Sequence, residues 1–149
     1  MTLEESSIFV NIKSLRTKLY KAQFHMMKAN RVIYGTPLME SCGKSIASFV
    51  LAFTVPEKRV MYLEECIGYF SVLRTDLEFC VKERIIQFKK RHNGVDENGK
   101  PIQFEQKEDR ISSEEIEIFN LVGKIDGDMC RWRASLAKAR PHMNECAAD

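Results

Sequence analysis

A chain of 149 residues is the size of one domain, and folding can bury about 70% of the surface its unfolded form exposes. With 44% hydrophobic and 30% charged residues, it is too apolar for a disordered chain and ordinary for a globular helical one. A formal charge of +2 selects no class of partner, so the distribution of charge has to be read instead.

Five cysteines, Cys42, Cys66, Cys80, Cys130 and Cys146, are scattered singly without a Cys-x-x-Cys pair. That pattern predicts reduced thiols that pack as small hydrophobes, not a disulfide frame or a metal set. The polar start from Met1 to Ser7 carries Glu4 and Glu5 and does not read as a secretory segment. The longest apolar run, Ile46 to Phe53, is far short of the ~20 residues of a membrane span. The expected location is cytoplasmic.

Helix one begins at Ile8, with apolar residues at Ile8, Ile12, Leu15, Leu19, Ala22, Met26, Ala29 and Ile33. Steps alternating between four and three mark the buried seam of a bundle helix. Its end is open. Gly35-Thr36-Pro37 is a local stop, giving helices over 8–34 and 37–54; a turn near His25–Lys28 gives 8–25 and 28–54. Helix two buries Leu38, Cys42, Ile46, Phe49 and Phe53. Thr54-Val55-Pro56-Glu57 then reads as a capping box opening helix three, expected over 57–90 with Val60, Leu63, Ile67, Phe70, Leu77 and Val81 inward.

Turn signals and charges crowd the stretch after helix three, including Asn93-Gly94 and Asn98-Gly99-Lys100-Pro101. This predicts a long polar insertion loop over 89–110, with a short hairpin at Asn98-Gly99. Ser112-Ser113-Glu114-Glu115 is a second capping box. It opens helix four, 112–140, which buries Ile118, Val122, Ile125, Met129, Trp132 and Leu136. The tail from Pro141 is expected to fray. The whole chain, 1–149, thus reads as all-α: a single up-and-down antiparallel four-helix bundle with a long polar loop before helix four.

Charge is unevenly spread. No acid occurs between Glu5 and Glu40, where Lys13, Arg16, Lys18, Lys21, Lys28 and Arg31 fall. A second acid-free stretch carries Arg131, Arg133, Lys138 and Arg140. If helix one continues, Lys18, Lys21, His25 and Lys28 form one stripe. Helices one and four as neighbours would merge both stretches into a basic face able to hold a phosphate backbone. The competing reading is a solvated face balanced by acids elsewhere. Large apolar groups flank the helix-one seam in excess: Phe9, Tyr20, Phe24, Met27 and Tyr34. They fit either the core margin or an oligomer interface.

No catalytic constellation emerges. His25, His92 and His142 lie far apart without metal-ligand spacing, and there is no phosphate loop or nucleophile elbow. No catalytic residue, metal or cofactor is expected.

Several short motifs in order resemble one family. They are Leu19-Tyr20, Lys28-x-x-Arg31-x-x-x-Gly35, Leu73-Arg74, Ile111-Ser112 and the seven-residue step from Ile125 to Trp132. Over about Asn11 to Ser135, loop excepted, the chain is similar to four-helix-bundle proteins that include two groups. One is the accessory variability determinant (Avd) of diversity-generating retroelements; the other comprises proteins encoded in 23S rRNA intervening sequences. It departs where the family's glycines before the Trp are Cys130 and Arg131, where Glu78 replaces a base, and in the insertion. The resemblance implies that helix one ends near Phe24, with Lys28, Arg31 and Gly35 in helix two. It implies a homopentamer that binds a reverse transcriptase and template RNA or cDNA, a non-catalytic role in mutagenic cDNA synthesis. A protein–protein scaffold, or a ribosomal-RNA-associated bundle without a retroelement role, is the alternative.

Overall fold

Four long helices, with no strand, make up the described part of the chain. The structure is a computed structural model. It describes residues 1–88 and 112–148, with side chains through residue 139. The expected loop 89–110 with its hairpin, His92, and the side chains of Arg140, His142 and Cys146 lie outside the described residues.

Helix α1 is Ser7–Ala22, followed by a 3-10 turn, Gln23–His25. The chain extends at Met26 and Met27 and re-enters a helical run, α2, spanning Lys28–Thr54. Ala29 and Ile33 are therefore exposed and do not continue the α1 seam. The corner is locked from three sides. Arg31 Nε–H donates to the carbonyls of Gln23, at 3.1 Å, and Met26, at 3.3 Å. Gln23 Nε2 donates to the Gly35 carbonyl at 3.0 Å. A Cβ on Gly35 would sit 3.2 Å from that same amide nitrogen, so the close approach requires glycine or a shifted Gln23.

Pro37 lies inside α2, where a proline normally clashes with the carbonyl four residues back. A π turn over Arg31–Gly35 resolves this. The Thr36 amide bonds the Arg31 carbonyl five residues back, and the Thr36 hydroxyl donates to the same oxygen at 3.3 Å. The widened turn shifts the ladder by one residue just where Pro37 has no N–H to give.

Helix α3 is Arg59–Lys82, after a 3-10 turn at Pro56–Lys58; the break at Val55 bends the chain by 119°. The expected capping box at Thr54 does not form. Thr54 stays in α2 and its hydroxyl donates to the Val50 carbonyl at 2.8 Å. Arg59 holds the end of α2 instead, donating to the carbonyls of Ala52, at 2.9 Å, and Phe53, at 3.1 Å. Helix α3 also stops at Lys82, short of residue 90. Arg84 adopts a left-handed φ of 59°, and the amides of Ile85 and Ile86 turn back to the Cys80 carbonyl. Ile86 is thereby buried, and the Gln87 amide donates to the His25 carbonyl.

Helix α4 is Ser113–Ala148, continuing past Pro141 where fraying was expected. Ser112 caps it by accepting from the Glu114 amide at 3.2 Å. Ala, Lys, Arg, Met and Glu dominate residues 134–148 and favour helix even around a proline.

The helices pack in a ring of neighbours, α1 on α2 and α4, α3 on α2 and α4. Side-chain pairs give the register: Phe9 with Phe49, Tyr34 with Phe79, Arg74 with Asp126, and Lys18 with Glu117. The α2–α3 contact is close because its faces are small. Ser45, Ser48, Ala52 and Cys66 are buried there, and the Cys66 thiol donates to the Ser45 carbonyl at 3.2 Å. Around it lie Ile12, Leu15, Phe49, Phe70, Leu77, Ile118, Ile125 and Met129, all essentially without exposure. Among the described residues, no single helix is long and apolar enough to cross a membrane.

A non-glycine left-handed residue costs about 1 kcal/mol. Arg84→Gly should therefore raise the unfolding free energy by about that amount without changing helix content, measured by denaturant unfolding.

Candidate nucleic-acid interface

The two basic stretches do not merge. Lys18 meets Glu117 and His25 meets Glu114, so α4 descends as α1 ascends. Bases from Lys13 onward therefore lie beside the acid-bearing start of α4. Trp132, at the head of the second stretch, instead shares a groove with Met1, Ser6 and Ser7. The stretches run end to end along the α1–α4 pair, not side by side.

The individual bases divide into two kinds. Lys18 Nζ is 3.2 Å from Glu117 Oε2, and Arg131 pairs with Asp128 one turn earlier in α4. Arg31 is committed to the α1–α2 corner, its guanidinium 5.2 Å above the Phe24 ring. Arg31 thus serves the fold, while Lys18 and Arg131 have their charge locally paired at the surface. Lys13, Arg16, Lys21, Lys28, Arg133 and Lys138 are exposed and make no ion pair among the described residues. Lys13 Nζ sits 4.7 Å over the Phe9 ring, which leaves its charge open to solvent. The side chain of Arg140 is outside the described residues.

His25 does not join a basic stripe, because the helix breaks just after it. Its Nε2–H donates to Glu114 Oε2 at 3.0 Å, and its ring packs 5.7 Å from Phe88. Together with the Gln87–His25 backbone bond, this ties the end of α1, the start of α4 and the turn after α3 into one corner.

The apolar candidates also divide. Phe9 belongs to the core, 9% exposed and stacked on Phe49 with centroids 6.2 Å apart. Tyr34 is half-buried against Phe79. Tyr20, Phe24 and Met27 are exposed by 55%, 58% and 76%, too much for a core margin. Tyr20 and Phe24 meet edge to face at 5.5 Å. Val32 and Ile33, on the π turn that begins at Arg31, are exposed as well and were assigned no such role in the sequence. Ile33 reads as core if α1 is continued through it; only the break at Met26–Met27 turns it outward.

Cys42, Cys66 and Cys80 are buried thiols without disulfides. Burial pushes Cys42 up to about 11 and Cys66 up to about 12, and raises Cys80 as well. Thiols held this far toward the protonated form are poor nucleophiles and poor metal ligands. Among the described residues no three His, Cys, Asp or Glu side chains gather as a metal set.

With this geometry in view, comparison with known proteins adds no relative: no family model matches the chain, nor does any curated protein or solved structure. The motif residues that carry the Avd resemblance are mostly structural here. Leu19, Leu73 and Ile125 are core, Arg31 and Gly35 build the corner, and Ser112 caps α4. Arg74 bridges Glu78, at 3.1 Å, and Asp126, at 3.2 Å, so the departure at Glu78 supplies its partner.

The buried thiols set a pH limit. Above the ordinary thiol value of 9.0 the unfolded chain releases protons that folded Cys42 and Cys66 retain up to about 11 and about 12. The unfolded state then binds fewer protons, so stability falls as pH rises through that window. Denaturant midpoints from pH 8 to 11 (an interval of about three units) should fall more steeply for wild type than for a Cys42→Ala/Cys66→Ala variant.

Proposed function

We propose that this chain is a non-catalytic accessory protein of a diversity-generating retroelement, binding template RNA or cDNA and the reverse transcriptase to support mutagenic cDNA synthesis. Its four helices are read as an up-and-down antiparallel bundle, supported by the four cross-helix pairs above and by the ring of neighbouring contacts. The observation that carries the functional reading is the line of exposed bases. Lys13, Arg16 and Lys21 on α1, Lys28 at the start of α2, and Arg133 and Lys138 on α4 have no ion-pair partner among the described residues. Such a line suits an extended phosphate backbone, which binds by releasing counterions and needs no base-specific contact.

Assembly strengthens this. Tyr20, Phe24, Met27, Val32 and Ile33 expose large apolar groups around the α1–α2 corner. A closed ring, the pentamer of the resembling family, needs two different complementary patches on each subunit. The corner is proposed as one of them. Ring closure would repeat the basic line about one axis and concentrate positive charge that a +2 subunit lacks alone.

A protein–protein scaffold is the second reading, favoured by the same corner and by the internal commitment of Lys18, Arg31 and Arg131. Heparin and RNA should both block partner binding if the basic line is a nucleic-acid face; a scaffold would be indifferent to RNA.

If all six free bases contact a single strand, each contributing about −0.7, log affinity should fall with log salt at a slope near −4. Filter binding of a structured RNA across a salt series measures this, and a flat response would contradict the reading. In the same assay, Tyr20→Glu/Phe24→Glu should give helical monomers by light scattering with weaker RNA binding. A wild-type monomer, or a mutant monomer binding RNA equally well, would contradict the coupling of assembly to binding.

A further inference from the structure

At the end of the molecule where α1 begins, an open groove of 590 Å³ is lined by Met1, Ser6, Ser7, Phe53, Arg59 and Trp132. That volume falls within the range of small-ligand sites. Three features of the groove converge on one chemistry.

The first is the start of α1. The helix has 16 residues, so its N-terminus carries a full partial positive charge. The amides of Ser7, Ile8 and Phe9 have no acceptor among the described residues, whereas that of Val10 is bonded to the Ser6 carbonyl. The second feature is Ser6 itself. It is only 7% exposed, makes no side-chain hydrogen bond among the described residues, and lines the groove. Its hydroxyl is therefore accessible and unpartnered where the residue borders the groove, although little else of the side chain is exposed. The third is Arg59. Nε–H and one Nη2 N–H hold the end of α2, and both N–H groups of Nη1 remain without a partner among the described residues. The guanidinium lies 5.9 Å from the Trp132 ring, which in turn packs 5.6 Å from Phe49. Phe53 completes an aromatic wall, its centroid 6.4 Å from Phe49. The nearest carboxylate in sequence, Glu5, does not line the groove and accepts from the Thr2 amide.

Helix amides, a hydroxyl and a guanidinium together recognise a compact oxyanion such as phosphate. Planar aromatic walls recognise a flat ring. We infer that this groove binds a nucleoside monophosphate, its phosphate on the α1 amides, Ser6 and Arg59, and its base against Trp132. The source is either the free nucleotide or the 5′-phosphorylated end of a strand. The inference does not depend on the retroelement reading, because none of the six exposed bases lines the groove and no reverse transcriptase is needed.

Trp132 is the chain's single tryptophan, so its indole N–H resonance reports on the groove alone. AMP should shift that resonance saturably, with adenosine and inorganic phosphate each binding at least about tenfold more weakly. A 5′-phosphorylated tetranucleotide is compared with its 5′-hydroxyl twin. Binding of the phosphorylated strand without binding of AMP identifies a strand end as the source, and AMP binding identifies the free nucleotide; either result supports the site. The decisive variant is Ser6→Asp. Aspartate is a good N-cap and suits the helix dipole, so the fold should be at least as stable. Its carboxylate occupies the oxyanion position, so AMP affinity should fall by at least about tenfold. RNA binding through the exposed bases should persist in this variant, which separates failure of the groove from failure of the RNA reading. Absence of any shift with AMP and with the phosphorylated strand would overturn the inference. So would a stable Ser6→Asp protein that binds AMP as tightly as wild type.

Discussion

Arg31 fixes the corner on which the rest of the arrangement depends. Its Nε–H reaches back to the Gln23 carbonyl, which also accepts from the Met26 amide, and to the Met26 carbonyl in the extended link that follows. With that bond made, the chain reverses in the short span of Met26 and Met27, and α2 is delivered against α1 at Gly35. The π turn beginning at Arg31 then absorbs Pro37. One side chain thus closes α1, aims α2 and frees Tyr20, Phe24, Met27, Val32 and Ile33 to face solvent.

The other end of the molecule repeats the device with Arg59, which seals the last carbonyls of α2 and so lets α3 start after a single short turn. Between the two ends, the α2–α3 interface is built from Ser45, Ser48, Ala52 and Cys66, where small side chains let the backbones come close. Thiols suit this position because they fill volume without demanding a strong partner. Cys66 still finds two, the Ser45 carbonyl and Met129 Sδ at 3.6 Å.

Much of this was legible in the residues. The inward sets of α1 and α4, from Ile8 to Met26 and from Ile118 to Met129, follow directly from steps of three and four. The end of α1 was not, because Gly35-Thr36-Pro37 offers a strong local stop that the π turn overrides with contacts twelve residues apart. The end of α3 was missed for a similar reason: Arg84 takes a conformation that usually announces itself with glycine. Thr54 and Glu57 have the spacing of a capping box, yet Thr54 remains helical and its hydroxyl is used on the Val50 carbonyl. The bases were found as a composition, but composition is blind to direction. The pairings of Lys18 with Glu117 and His25 with Glu114 show that the two stretches lie end to end, and separate contacts show that Lys18, Arg31 and Arg131 already have partners.

The acid-free stretch of α1 and α2 thus carries two kinds of base, Arg31 bonded into the corner and others, such as Lys28, left for a partner. The sharpest comparison is Arg31→Ala against Lys28→Ala, three positions apart in one motif. Loss of the charged hydrogen bond should lower the unfolding free energy of Arg31→Ala by about 2 kcal/mol. Lys28→Ala, exposed and unpaired among the described residues, should change it by less than about 0.5 kcal/mol. Denaturant unfolding of the two variants beside wild type decides the matter. Equal stability of Arg31→Ala and Lys28→Ala would contradict the division.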